Sequence, residues 1–77
     1  MFGDFLRVCR EKKGVTQHEL AFILGYSSPQ FVSNWERNLA KPPLNKARQI
    51  ANHLDIPVEK YRKQLINDYK RHLDRYL

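Results

Sequence analysis

Apolar residues recur along the chain at helical spacing, and no alternating pattern long enough for a β-strand interrupts them. The first such segment predicts a helix over residues 2–13, followed by Gly14, which suits the left-handed residue after a helix end. Its apolar positions at i, i+3, i+4 and i+7 are Phe2, Phe5, Leu6 and Cys9. Helical signals recur five times, so we expect an all-α bundle whose short connections leave no room for a second domain.

The second helix has the most distinct start in the chain. In "VTQHEL", Thr16 is predicted to be the N-cap and Glu19 lies at N3, which together form a capping box. The glycine of "LGY" is expected to end this helix. A third helix is predicted over 29–37, with Ser28 as N-cap and Pro29 in the first helical position. Two short helices joined by a turn of this length form a helix-turn-helix unit.

Two further helices are predicted after the "KPP" segment at 41–43. The apolar face of the fourth helix consists of Leu44, Ala47, Ile50, Ala51 and Leu54. Pro57 is expected to open a last helix of about twenty residues, roughly 30 Å long, which exceeds what a domain of this size needs. Its apolar stripe consists of Val58, Tyr61, Leu65, Tyr69, His72 and Tyr76.

The polar face of the third helix differs from an ordinary solvated face, which is built from Glu and Lys. Projected at 100° per residue, one side carries Gln30, Ser33, Asn34 and Arg37, and the other carries Phe31, Val32 and Trp35. Amides and guanidinium groups form paired hydrogen bonds with base edges in the major groove, each worth roughly 1–3 kcal/mol of discrimination. The face therefore predicts a helix that contacts bases, with an uncharged solvated face as the alternative.

Charge favours a polyanionic partner, since the 77 residues carry a net charge of +6. Residues 40–77 hold nine Lys or Arg against four Asp or Glu. The single cysteine excludes an internal disulfide, and neither a secretory signal nor a membrane span is recognisable, which favours the cytoplasm. The three histidines share no metal-ligand spacing, and no nucleophile pairs with a base. We expect no enzyme, no metal and no cofactor.

At these motifs the chain resembles the phage-repressor/Cro-like, XRE-type helix-turn-helix DNA-binding domains. The resemblance lies in Arg10, "TQHELA" (16–21), "LGY" (24–26), "VSNWE" (32–36) and "KPP" (41–43). It covers residues 2–56 as a family core within a single domain, 1–77, and leaves 57–77 as a C-terminal helix. Between Gly25 and Val32 this chain has one residue more than the commonest family pattern, so the resemblance defines the first residue of the recognition helix only to within one position.

The resemblance implies a role for each matching position. Base contacts are expected from Pro29, Gln30, Ser33 and Asn34. Contacts with the DNA backbone are expected from Thr16, Gln17, Ser28, Phe31, Arg37, Asn38, Lys41 and Lys46. Gln17 is also expected to brace Gln30, and Arg10 and Glu36 are expected to form a semi-buried salt bridge between the first and third helices.

The sequence thus predicts a sequence-specific regulator of transcription that binds double-stranded DNA, a repressor rather than an activator, and nucleoid-associated. The alternative is an antitoxin-like or adaptor module that holds a protein partner with its last helix; RNA is disfavoured because its deep, narrow major groove excludes a helix. The last helix either packs onto the core or forms a homodimer contact within 61–77, through Tyr69, Leu73, Tyr76 and Leu77. A dimer would place two recognition helices about 34 Å apart and favour a palindromic operator.

Overall fold

The computed structural model describes all 77 residues, which form five α-helices and one 3₁₀ turn without any strand. The helices are α1 (Phe2–Lys13), α2 (Gln17–Ile23), α3 (Gln30–Glu36), α4 (Ala47–His53) and α5 (Val58–Tyr76), and the 3₁₀ turn is Leu44–Lys46. The predicted all-α, five-helix fold is confirmed. None of these helices is both long and apolar enough to cross a membrane.

Local capping residues set the ends of the first two helices. Gly14 ends α1 at a φ of 74°, and its N–H donates to the Glu11 carbonyl. The Thr16 hydroxyl accepts the Glu19 N–H at 3.0 Å, which confirms the predicted N-cap of α2. Gly25 has a φ of 89°, a backbone conformation that residues with a Cβ rarely adopt. These positions explain why the connections between the helices are short and sharp.

The third helix is shorter by one residue at each end than the predicted 29–37, and its N-cap is Pro29 rather than Ser28. α3 begins at Gln30, whose N–H donates to the Ser28 hydroxyl at 3.2 Å. The Pro29 carbonyl accepts the Ser33 N–H at 3.0 Å, so this proline supports the first turn from just outside the helix. After α3, Asn38 takes the left-handed conformation at a φ of 63°, as the sequence predicts.

All five helices contribute to one apolar core. Its buried side chains are Phe2, Leu6, Leu20, Ala21, Leu24, Val32, Trp35, Ile50, Ala51, Leu54, Ile56 and Tyr61. The Tyr61 ring of α5 packs edge-on against the Phe2 ring of α1, with centroids 5.1 Å apart. The first turns of α5 are therefore fixed to the body of the domain.

The predicted apolar face of the fourth helix is wrong at Leu44. It lies in the 3₁₀ turn and is 80% exposed. A 3₁₀ turn has three residues per turn rather than 3.6, so the direction of a side chain there does not continue the face of the α-helix that follows. The face that packs into the core therefore begins at Ala47, which is half-buried.

The predicted apolar stripe of α5 packs onto the core only in the first half of the helix. Its first members, Val58, Tyr61 and Leu65, lie against the core, whereas Tyr69, His72 and Tyr76 are exposed. Between them lies Asp68, with only 4% of its side chain exposed. Its carboxylate accepts the Phe2 N–H at 3.1 Å and pairs with the Lys41 ammonium. The core ends at this carboxylate, so the last two turns of α5 extend from the domain, whose longest dimension is 37 Å.

Candidate nucleic-acid interface

The amide-bearing face of α3 lies on the outside of the domain. Val32 is fully buried and Trp35 is 3% exposed, so these two side chains seat the helix on the core. Gln30 on the opposite side is exposed, and Ser33 and Asn34 are half-buried. The side chains that sequence analysis proposed as base contacts therefore stand away from the core on one surface.

Gln30 and Asn34 are joined to each other across one turn of α3. The Gln30 Nε2 donates to the Asn34 Oδ1 at 2.9 Å. This leaves the Gln30 carbonyl oxygen as an acceptor and the Asn34 NH₂ as a donor, both without a partner in the chain. The expected brace between Gln17 and Gln30 is not formed, because the Gln17 Nε2 donates instead to the Glu36 Oε1 at 2.9 Å.

An ion pair between Arg10 and Glu36 connects α1 to the end of α3. The Arg10 Nε lies 2.6 Å from the Glu36 Oε2, and its Nη2 lies 3.0 Å from the Oε1. Their side chains are 11% and 2% exposed, so this is the buried salt bridge that the resemblance implies. The hydrogen bonds to Glu36 raise the pKa of the Arg10 guanidinium. A bidentate, buried pair of this kind holds the orientation of the helix as well as its position.

Tyr26, which sequence analysis did not single out, supports the start of α3. Its ring stacks on the Phe31 ring at 4.6 Å and meets the Trp35 ring edge-on at 5.8 Å. Phe31 is 52% exposed, so part of its side chain is accessible from solvent. The sequence signal for this supporting role is the position of Tyr26, an aromatic residue directly after the turn glycine of "LGY".

Two side chains from the segment after "KPP" fix the end of α2. The Lys46 Nζ donates to the Leu24 carbonyl at 2.8 Å and lies 5.4 Å from the centroid of the Tyr26 ring. The Gln49 Nε2 donates to the Ile23 carbonyl at 3.1 Å, a contact the sequence did not suggest. Lys46 was expected to contact a phosphate; its ammonium has further donors, but it also has this structural role.

Three residues after α3 differ in how they are engaged within the chain. The Asn38 Oδ1 accepts the Gly3 N–H at 2.9 Å, which ties α1 to the end of α3. Lys41 pairs with Asp68; partial burial lowers the pKa of its amine, but the adjacent carboxylate favours the charged form. A DNA phosphate at Lys41 would therefore compete with the Asp68 carboxylate for the positive charge of the ammonium. Arg37 is exposed and forms no ion pair or side-chain hydrogen bond.

The structure brings the start of α2 next to the start of α3. Thr16, Gln17 and Pro29 line one shallow depression together with Arg10. Ser28, also expected at the DNA backbone, uses its hydroxyl oxygen to accept the Gln30 N–H. Residues expected to contact the DNA backbone and residues expected to contact bases therefore lie side by side on this surface.

Comparison with known proteins agrees with this arrangement. A family model described as helix-turn-helix matches residues 6–61, which include most of α1, all of α2, α3 and α4, and the first turn of α5. No curated protein matches the chain.

Proposed function

The chain belongs to the XRE-type helix-turn-helix family of DNA-binding regulators, and from this premise we propose that it recognises specific sequences by placing α3 in the major groove. The observation that carries the proposal is the outward amide face of α3 above the buried Val32 and Trp35. The major groove of B-DNA admits a helix of this kind and presents paired donors and acceptors.

We assign base contacts to four residues: Pro29, Gln30, Ser33 and Asn34. The acceptor of Gln30 and the donor of Asn34 match the N6 amino group and the N7 of adenine. Backbone contacts are assigned to Thr16, Gln17, Ser28, Phe31, Arg37, Asn38, Lys41 and Lys46. Arg37 is the strongest candidate among the charged ones, because its guanidinium has no partner in the chain, whereas Lys41 pairs with Asp68 and Lys46 donates to the Leu24 carbonyl. Each phosphate neutralised adds about 0.9 to the slope of log K against log salt.

Selection of bound duplexes from a random DNA pool tests this proposal and gives the operator. Against the selected site, Gln30→Ala and Asn34→Ala are expected to relax the preference at one or two base positions, by about 1–3 kcal/mol each. Asn67→Ala removes the same amide from an exposed position of α5 and serves as the matched control, with no change in preference. Uniform loss of affinity for all sequences on changing Gln30 or Asn34 would show that these amides do not contact bases.

We also propose that the protein binds a palindromic operator as a dimer, through the turns of α5 that extend beyond Asp68. The exposed apolar side chains there are Tyr69, Leu73, Tyr76 and Leu77. Sedimentation of the free protein and of its DNA complex tests the dimer. Leu73→Asp is expected to shift both toward one copy, whereas Val8→Asp, at an exposed position of α1, is not. A strict monomer on a selected site with one half-site would refute this arrangement.

We propose repression as the outcome of binding, because two copies seated about one DNA turn apart would cover a promoter that overlaps the operator. A reporter gene with the selected operator placed over its promoter tests this. Expression is expected to fall when the protein is supplied and to recover with the Asn34→Ala variant. Increased expression from the same reporter would identify an activator instead.

A further inference from the structure

An apolar groove lies between α4 and α5, apart from the proposed DNA-contacting surface. It has a volume of about 560 Å³, and eight of its eleven lining residues are hydrophobic. Its apolar lining consists of Leu44, Ala47, Ala51, Val58, Tyr61, Leu65, Ile66 and Tyr69. None of the lining residues belongs to α2, to α3 or to the turn between them. Leu44 and Ile66 are 80% and 51% exposed, so apolar side chains at this groove face solvent.

The charged residues that line the groove all have the same sign. They are Arg48 from α4, and Arg62 and Lys70 from α5. Arg62 is paired with Glu59, whereas Arg48 and Lys70 have no carboxylate partner in the chain. An apolar floor flanked by unpaired cations is complementary to a ligand with an apolar side and negative charge around it.

We propose that this groove binds an acidic amphipathic helix of a partner protein. Four apolar residues of α5 at the groove, at 58, 61, 65 and 69, lie three or four positions apart, and Ile66 lies beside them, so they present an apolar strip along several turns. A helix that packs into such a groove inserts apolar side chains at i, i+3, i+4 and i+7. Glutamates or aspartates on the flanks of that helix would meet Arg48 and Lys70.

A second copy of this chain fits the groove poorly. A two-fold contact across the groove would bring the unpaired cations Arg48 and Lys70 of both copies into one interface, whereas the dimer contact proposed above lies further along α5 and shares only Tyr69 with the groove. Duplex DNA supplies negative charge but no apolar surface to cover the floor of the groove. The occupant that is complementary both to the apolar floor and to the flanking cations has one apolar face with acidic residues along its edges.

The test is a titration of isotope-labelled protein with a designed helical peptide that carries leucines at i, i+3, i+4 and i+7 and glutamates elsewhere. Saturable binding is expected, with the largest amide shifts at Ala47, Ala51 and Leu65. Leu44→Asp and Ile66→Asp change exposed residues of the groove and are expected to weaken binding at least about tenfold. Val8→Asp introduces the same charge at a half-exposed site on α1 and should leave binding unchanged.

Charge complementarity is tested separately on α5. Lys70→Glu, at the groove, should weaken peptide binding about fivefold more than Lys63→Glu, an exposed position on the same helix outside the groove. Trp35 fluorescence reports whether each variant remains folded. Equal binding of a sequence-scrambled peptide of the same composition, or of a leucine–lysine peptide, would overturn the proposal.

Other outcomes would assign the groove differently and also overturn the proposal. Amide shifts at Ala51 and Val58, away from the dimer contact proposed beyond Asp68, that grow with protein concentration alone would identify a second copy as the occupant. Shifts at Val58 and Leu65, away from Lys46, on adding duplex DNA would identify nucleic acid as the occupant. Shifts at the groove with decanoate at the affinity of the peptide would identify a small apolar carboxylate. Peptide shifts confined to α2 and α3 would place the binding on the other surface.

Discussion

Replacing either partner of the Arg10–Glu36 pair should destabilise the domain strongly and unequally. Arg10→Met leaves the Glu36 carboxylate, 2% exposed, with Gln17 as its one remaining donor. Loss of one member of a buried pair typically costs about 3–5 kcal/mol. A domain of 77 residues has a total stability of roughly 4–12 kcal/mol, so this variant should lose a large part of its free energy of unfolding.

The opposite change should cost less. Glu36→Leu leaves the Arg10 guanidinium, which is 11% exposed and still donates to the Val15 carbonyl at 2.8 Å. We expect a loss of about 2–3 kcal/mol. The double variant, Arg10→Met with Glu36→Leu, should lose less than Arg10→Met alone, because no charge is then stranded.

Urea unfolding followed by the fluorescence of Trp35, the single tryptophan, measures these differences. Arg62→Met breaks the exposed pair with Glu59 and serves as the control, with an expected loss within about 1 kcal/mol. A loss for Arg10→Met no larger than that of the control would refute the argument that burial makes this pair important.

Three further substitutions test individual contacts. Tyr61→Phe removes a buried hydroxyl without a hydrogen-bond partner and should raise the free energy of unfolding by about 1 kcal/mol. Because burial raises the pKa of Tyr61 to about 12, the wild-type protein should lose stability as pH rises from 10 through 12. Unfolding at a series of pH values should show that this loss is smaller in the variant. Gly3→Ala places a Cβ against the Trp35 carbonyl and should lower the free energy of unfolding, measured by thermal unfolding, by about 1–3 kcal/mol. A variant as stable as the wild type would show that α1 and α3 can move apart at little cost. Asp68→Leu strands the Phe2 N–H and should cost about 2 kcal/mol by urea unfolding, with a smaller loss for Asp68→Asn, whose amide oxygen still accepts; equal losses would contradict that hydrogen bond.

Local signals in the sequence predicted most of the helix ends. Thr16 and Gly14 act on backbone groups within a few residues of themselves, so their roles can be inferred from neighbouring residues alone. The bounds of α1 were predicted correctly for this reason. The outward position of Gln30 and Asn34 also follows from local periodicity, because Val32 and Trp35 are the apolar residues of the same short helix.

Contacts between distant parts of the chain could not be inferred in this way. Asp68 accepts a hydrogen bond from Phe2, 66 residues away, and nothing around position 68 distinguishes it from a solvated carboxylate. The sequence therefore left open whether the second half of α5 packs onto the core or forms a dimer contact. Gln17 was similarly assigned to the wrong neighbour, because its choice of Glu36 depends on where the ion pair with Arg10 places that carboxylate.

If Gln30 and Asn34 contact bases as proposed, the hydrogen bond between them has a consequence for how the operators of this protein would vary. An amide that turns to meet a different base gives up or redirects the bond to its neighbour, so the energy of one base change depends on the base beside it. Free energies of doubly altered operators should then depart from the sum of the single changes. A binding-site description built from independent base frequencies would misrank such sites, and related operators would tend to differ at both positions together.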